Sequence, residues 1–252
     1  MQLQKPVKLS ILIPTYNEED SLPNCIHELS EFINTQIHSV EVIFIDSGSS
    51  DNSLHIIKSA MNELPWLKLI EEGQRNGVGS AFKLGIKEAQ GQLIAHYETD
   101  CPFDLENLNI AVDKLSLDTM KFIMGIRCGL RLNLLRKIYT TGYRWYIYLL
   151  FGLYLQTVNF GYKVYPTKLV KDHKFISAGW FFDAELLILA QENKLEIEEL
   201  PVDHRVRVNG LSHVGLKDVA WIILEALQFI IKRKCENTTI GPCIEDQEPS
   251  EN

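Results

Sequence analysis

Short apolar, β-branched runs alternate with longer segments of helical periodicity along the first half of this chain. Leu9–Pro14 and Val40–Ile45 have strand length and stop in the polar, turn-forming clusters Thr15–Glu19 and Asp46–Asp51. Helical patterns follow each, over Ser21–Phe32 with Ser21 as the cap residue and over Asp51–Leu64. Leu67–Glu71 predicts a short strand, and Gly79–Gln90 a helix entered through Gly73, Gly77 and Gly79. Leu93–Tyr97 then reads as a strand, Leu105–Leu115 as a helix and Phe122–Ile126 as a strand. This β-α-β-α order predicts an α/β fold with a doubly wound sheet through Arg127. Ligands bind beyond the carboxyl ends of such strands, so the two polar clusters are expected to face one crevice. Its chemistry suits a nucleotide.

The pattern changes after Arg127. Leu130–Leu155 is long, aromatic and basic, with Arg131, Arg136, Lys137 and Arg144 ahead of the nearly uncharged Trp145–Leu155. Lys163–Tyr165 and Leu195–Val202 predict strands on either side of a helix over Trp180–Gln191. Val219–Ile231 is apolar almost all round and is followed by Lys232-Arg-Lys234. A bilayer core of about 30 Å needs roughly 20 apolar residues in a helix, so neither apolar run is long enough to span one. Basic residues beside aromatic helices suit insertion at a membrane interface, and a core or dimer helix is the alternative.

Composition narrows the picture modestly. The 252 residues are 46% hydrophobic and 23% charged, ordinary for a globular protein with one large α/β domain or two small ones. The net charge of −8 argues against a nucleic-acid partner. Five acids and no Lys or Arg lie from Cys235 onward, leaving 28 acids against 25 bases in the body. We therefore expect one domain over residues 1–234 and an acidic, disordered tail over 235–252. Five cysteines, an odd number without metal-ligand spacing, read as reduced thiols in a cytosolic protein. Met1–Lys8 lacks an apolar signal core.

The motifs occur in a telling order. Pro14-Thr-Tyr-Asn-Glu18, Asp46-Ser-Gly-Ser-Ser-Asp51, Arg75-Asn-Gly-Val-Gly79 and Glu98-Thr-Asp100 resemble glycosyltransferase family 2. Gly161-Tyr-Lys-Val-Tyr165, Trp180-Phe-Phe-Asp-Ala-Glu-Leu186 and Glu199-Leu-Pro-Val202 are similar to its polyprenyl-phosphate branch, which includes dolichyl-phosphate mannose and glucose synthases. The resemblance implies a GT-A fold, Rossmann-like and mostly parallel with peripheral amphipathic helices. It divides the domain into a nucleotide half, about 7–127, and an acceptor half, about 128–234. It implies an inverting transfer of a hexose from a GDP- or UDP-linked sugar to a polyprenyl phosphate, with Mg2+ or Mn2+ as cofactor. It places the protein at the inner, cytoplasmic face of a membrane and leaves room for a homo-oligomer or a membrane-anchoring subunit.

The resemblance also assigns residues. Pro14 and Tyr16 would wall the base, and Glu18 and Asp46 would read base or ribose, Asp46 having a turn cap as its plainer role. Arg75 and Asn76, before a glycine turn into a helix, would face the diphosphate or ribose, with Glu98 and Thr99 also at the donor. Glu98 and Asp100 would hold the metal, which acts as a Lewis acid and template for the leaving group. Arg127, Lys163, Arg205 and Arg207 would bind phosphate, salt bridges being the other use of such cations. Asp183 and Glu185 are two apart on a helix and do not share a face. A phosphate acceptor is already anionic, so we expect Asp183 to orient rather than to act as a base. His204 and His213 flank a late basic loop and read as structural.

Three positions depart from the family pattern: Glu98 stands where Asp is usual, Ser47 where a second Asp is frequent, and Pro102 where some relatives carry an amide ligand. Two other functions stand beside this reading, and the departures motivate the second of them. One is transfer to a saccharide or protein hydroxyl, with Asp183 or Glu185 as base. The other is a non-catalytic nucleotide-sugar-binding subunit.

Overall fold

The computed structural model describes residues 7–128, 134–205 and 216–239. Within the compact unit Met1–His213, strands and helices alternate as the hydrophobic pattern requires. Strand β1 is Leu9–Thr15, followed by α1 (Leu22–Thr35), β2 (Val40–Asp46), α2 (Ser53–Met61) and β3 (Leu67–Glu71). Then come α3 (Val78–Glu88), β4 (Leu93–His96), α4 (Glu106–Leu117) and β5 (Lys121–Cys128). The second half holds α5 (Leu134–Phe151), β6 (Lys163–Pro166) with a 3-10 turn Thr167–Leu169, α6 (Phe182–Glu192) and β7 (Glu196–Asp203).

The seven strands form one sheet in the order β3-β2-β1-β4-β6-β5-β7. β1 pairs in parallel with β2 and β4, and β2 with β3, in a register that sets Thr15 beside Asp46 and Asp46 beside Glu71. Chain order reverses between β1 and β4, so the crevice of a doubly wound sheet opens there. β6 runs antiparallel to both β4 and β5, while β5 and β7 are parallel. That inversion has a consequence for the site. It brings the amino end of β6, Gly161–Lys163, to the same sheet edge as the carboxyl ends of β4 and β5.

Every residue of β2 is buried, as is most of β1, because helices cover both faces. The core on one face joins Leu22, Cys25, Leu29 and Phe32 of α1 to Ile11, Ile13, Val42 and Phe44. Burying that many aliphatic and aromatic side chains is the dominant stabilising term, at about 1.5–3 kcal/mol each.

Strand boundaries follow the expectations to within two residues, but two local readings change. Ser21 does not cap α1: its backbone is helical (φ −90°, ψ −33°) and its hydroxyl donates to Glu18 Oε2 at 2.9 Å. Helix α7 (Leu216–Thr239) belongs to the unit Val214–Asn252 and runs past Cys235, where the acidic tail was expected to begin. Among the described residues no helix is long and apolar enough to cross a membrane.

Candidate active site

The loops after β1 and β2 are laced into one wall by hydrogen bonds between their backbones and short polar side chains. Asn17, at φ 53°, donates its amide to Ser49 Oγ at 3.0 Å and accepts the Ser50 amide at 2.8 Å. The Glu18 amide donates to Ser53 Oγ at 2.8 Å, and the Asn52 amide to Glu19 Oε2 at 2.8 Å. The two polar clusters thus share one crevice wall, as their strand-end positions predicted.

Asp46 lies at the base of this wall and is buried. Its Oδ2 accepts the amides of Gly48 and Ser49, each at 3.1 Å, so the turn-capping role is present. Its Oδ1 is buried with no hydrogen-bond partner among the described residues. A buried unsatisfied carboxylate oxygen is costly, so any hydrogen-bond donor that reached it would be favoured. Gly48 (φ +77°) lets this turn approach β3: a Cβ there would meet Gly73 O at 2.7 Å.

Glu72 is the residue that sequence reasoning missed. Its Oε2 accepts the Ser47 hydroxyl at 2.6 Å, and its Oε1 accepts Ser80 at 2.6 Å and Asn76 Nδ2 at 3.1 Å. One carboxylate therefore ties the β2 turn to the glycine loop and the start of α3. The available signal was the acidic pair Glu71-Glu72 ending a strand beside Asp46. Asn76 is thereby turned toward Glu72, whereas Arg75 stacks over the Tyr16 ring at 4.5 Å. Tyr16 is 37% exposed and Pro14 half-buried, so an aromatic wall flanked by a guanidinium lines the crevice mouth.

The carboxyl end of β4 carries Glu98, Thr99 and Asp100. β4 stops at His96, one residue earlier than expected, and Thr99 is buried. The Glu98 carboxylate sits against Gly161 so closely that any side chain at 161 would collide with it. Asp100 leads into Cys101, held at φ 50°. The described residues contain no group of three or more His, Cys, Asp or Glu able to hold a metal. Glu98 and Asp100 supply two hard oxygen donors, the type that Mg2+ and Mn2+ take, and such ions want about six ligands. The pair fits a metal only when a diphosphate and water complete the shell. Pro102 offers no side-chain ligand, and its carbonyl accepts the Arg205 amide at 2.8 Å.

Across the crevice, the segment before α6 packs on the glycine loop. A Cβ on Gly77 (φ +101°) would meet Ala178 O at 2.5 Å, one on Gly79 would meet Phe182 Cβ at 2.7 Å, and the Ser80 amide donates to Ala178 O at 2.9 Å. The next residue on α6 is Asp183, whose Oδ1 pairs with Lys163 Nζ at 3.0 Å. Lys163 is wholly buried and also donates to Phe160 O at 2.7 Å. This corrects its expected role: it is the buried counter-ion of Asp183, with no surface to offer an acceptor phosphate. Burial raises the Asp183 carboxyl above its ordinary range, against the opposing pull of Lys163. Beneath them His96 and Tyr165 share a 2.8 Å hydrogen bond, and burial together with the Lys163 charge holds His96 well below its usual range.

Glu185 is buried away from the crevice and accepts the amides of Ile176 and Ser177, each at 2.7 Å. It braces the loop before α6, and its candidacy as a base falls. Burial would raise its pKa, but His173 and those amides outweigh burial and hold it below the usual range. Arg127 lies at the end of β5 over the Phe160 ring at 4.8 Å, with the half-buried side chain at the sheet edge that carries the site. Arg205 was expected on a phosphate. It pairs instead with Glu28 at 2.7 Å and Asp104 at 3.4 Å, the salt-bridge alternative. Arg207, Arg131 and His213 lie outside the described residues. The His204 ring centroid lies 5.8 Å from that of Phe160. Cys25, Cys101 and Cys128 are free thiols, and Cys243 lies outside the described residues.

Comparison with known proteins gives this arrangement a lineage. The family model for Glycosyl transferase family 2 matches residues 10–165. The chain is 26% identical over 217 residues to a dolichyl-phosphate beta-glucosyltransferase of Dictyostelium discoideum, covering 78% of this chain and 66% of that protein. It is 27% identical over 230 residues to a dodecaprenyl-phosphate galacturonate synthase of Rhizobium johnstonii, covering 88% of this chain and 66% of that protein. It therefore spans slightly less than two thirds of either relative's length. Glucosyl-3-phosphoglycerate synthase from Mycobacterium tuberculosis, solved with Mn2+ and UDP-glucose, superposes with a TM-score of 0.67 at 15% identity over 90% of this chain and 79% of that one. The sheet is that of the GT-A fold, and with one family's model covering every strand from β1 to β6 the chain belongs to glycosyl transferase family 2.

Proposed function

We propose that this protein transfers a hexose from a nucleoside-diphosphate sugar to a polyprenyl phosphate, with inversion, at a membrane surface. The observation that carries the reading is the likeness to two prenyl-phosphate sugar transferases across both halves of the chain, beyond the residues the family model covers. Residues 7–127 form the donor half and 128–234 the acceptor half. In the donor half, Pro14, Tyr16 and Arg75 frame the base, Asp46 Oδ1 accepts a donor from base or ribose, and Glu18, Asn76 and Thr99 complete the wall. Glu98 and Asp100 hold Mg2+ or Mn2+ together with the diphosphate, and the ion neutralises charge on the leaving group. Arg127, with Arg207, takes the acceptor phosphate.

The acceptor is an anion at neutral pH, so no base is required to activate it. Asp183 then orients the sugar. A lipid-borne acceptor also requires a surface that meets the bilayer. α5 exposes Ile138, Trp145, Tyr148 and Leu149, and Tyr154 follows at 74% exposure. Aromatic and aliphatic side chains gathered with Lys137 and Arg144 suit the headgroup boundary. α7 likewise exposes Trp221, Leu224, Leu227 and Ile231 with Lys232 and Arg233 near its end.

A screen of UDP- and GDP-linked sugars against a short-chain polyprenyl phosphate, read as lipid-linked product by mass, tests the reading. Product with one donor, dependent on divalent metal, is expected. Equal transfer to a water-soluble sugar would replace the polyprenyl-phosphate acceptor by a saccharide hydroxyl. No transfer with intact nucleotide-sugar binding would leave a binding subunit.

A further inference from the structure

We propose that Lys163 is a positioning residue that keeps Asp183 anionic beside the glycine loop, so that Asp183 accepts a hydrogen bond from a hydroxyl of the transferred sugar. The inference deepens the proposed transferase reading and rests on it for the identity of the sugar-bearing ligand.

Three geometric facts support it. Lys163 has no exposed surface, and its ammonium is used twice, by the Phe160 carbonyl at 2.7 Å and by Asp183 Oδ1 at 3.0 Å. Asp183 keeps 18% of its side chain open, and the ion pair is made through its Oδ1. The first turn of α6, which carries Asp183, is fixed to the donor loop through the Gly77–Ala178 and Gly79–Phe182 contacts. An ion pair is a poor filling for a buried site in terms of stability alone, since apolar replacements of similar volume are frequently neutral or better. What this pair supplies is a fixed acceptor with a negative charge.

The surroundings make the counter-ion necessary. The groups facing the pair are Tyr165 on β6 and His96 on β4, joined to each other and both neutral by burial. Glu185, on the same helix, is turned onto the 176–177 amides. Lys163 is therefore the cation opposing the proton affinity that burial confers on Asp183. Without it the opposing pull is lost and the proton affinity of the carboxyl rises further, toward a form that donates from one oxygen and carries no charge.

The test follows the Asp183 carboxyl by 13C NMR titration in wild type and in Lys163→Met, with Lys163→Gln as a second variant that keeps a donor toward the Phe160 carbonyl. The titration needs neither donor nor acceptor, so it stands or falls separately from the transferase reading. A midpoint raised by more than about one unit, restored by Lys163→Arg, is expected. An unmoved midpoint in a folded variant overturns the proposal. Affinity for the nucleotide sugar gives a second arm that does not depend on either single Lys163 variant folding. Lys163→Met/Asp183→Asn removes both charges, and it should bind like Asp183→Asn alone because Lys163 acts only through Asp183. A further loss beyond about threefold in the double variant would mean that Lys163 acts on the ligand by another route, and would also overturn the proposal.

Discussion

Asp46 offers a test that separates a turn residue from a ligand-binding one, because its two oxygens have different occupations. Oδ2 accepts two amides at 3.1 Å, and Oδ1 is buried without a partner among the described residues. Hydrogen bonds to a charged group contribute about 1.5–3 kcal/mol at good geometry. These are long, and water can replace them at a loop, so about 2 kcal/mol is reasonable for the pair. Asp46→Ala also removes the desolvation cost of the unsatisfied oxygen, about 1–3 kcal/mol. The two terms offset, and the ligand-free protein should lose about 1 kcal/mol or less, read by thermal unfolding. Nucleotide binding has no such offset. Losing a charged acceptor should cost about 1–3 kcal/mol, or roughly 5- to 150-fold in Kd by calorimetry with UDP and GDP. Asp46→Asn sharpens the contrast: its carbonyl keeps the turn amides while its NH2 places a donor where an acceptor is needed. We expect an intact melt and an affinity loss of similar size. Unchanged nucleotide affinity in a folded Asp46→Asn would refute the assignment and leave Asp46 a turn residue.

Other expectations are as direct. Asp100→Ala should abolish transfer and leave the melt unchanged, and excess chelator should do the same to wild type; full activity under either condition removes the metal role. Glu185 is held below the ordinary carboxylate range, so the stability it provides is present above the unfolded glutamate pKa of about 4.3 and is lost as pH falls through its lower folded value. Glu185→Gln should cost about 2 kcal/mol at neutral pH and flatten the acid limb of the unfolding curve; an acid limb identical to wild type would contradict this. Gly161→Ala should displace Glu98 and raise the Mn2+ concentration needed for activity, whereas wild-type metal dependence would show that Glu98 has room to move. Trp145→Ser with Leu149→Ser should release the protein from anionic liposomes in a sedimentation assay without altering UDP affinity, as should charge reversal at Lys232, Arg233 and Lys234. Retention of every variant on the vesicles at low salt would place the membrane contact elsewhere.

Periodicity along the chain was enough to specify the strands and helices of residues 7–127. These strands are β-branched runs of four to eight residues punctuated by Gly, Asn, Asp and Pro, and both period and punctuation are local properties of the chain. Parallel β-α units leave every strand end at one edge, so Thr15–Glu19, Asp46–Asp51, Arg75–Gly79 and Glu98–Asp100 were bound to meet. The tertiary structure alone decided how individual side chains are used. Lys163 and Arg205 look alike as candidate phosphate ligands in sequence. One is sealed inside because β6 enters the sheet antiparallel beside β4, and the other lies outside within reach of Glu28 on α1. Asp183 and Glu185 are equally acidic and two residues apart, and only the path of the 176–177 backbone turns Glu185 into a brace. Glu72 carried no motif, and its part in joining Ser47, Asn76 and Ser80 exists only once β2 and β3 lie side by side. Periodicity is written between neighbours along the chain, whereas the partner of a charge is chosen by strand order and burial, which bring residues tens of positions apart within 3 Å.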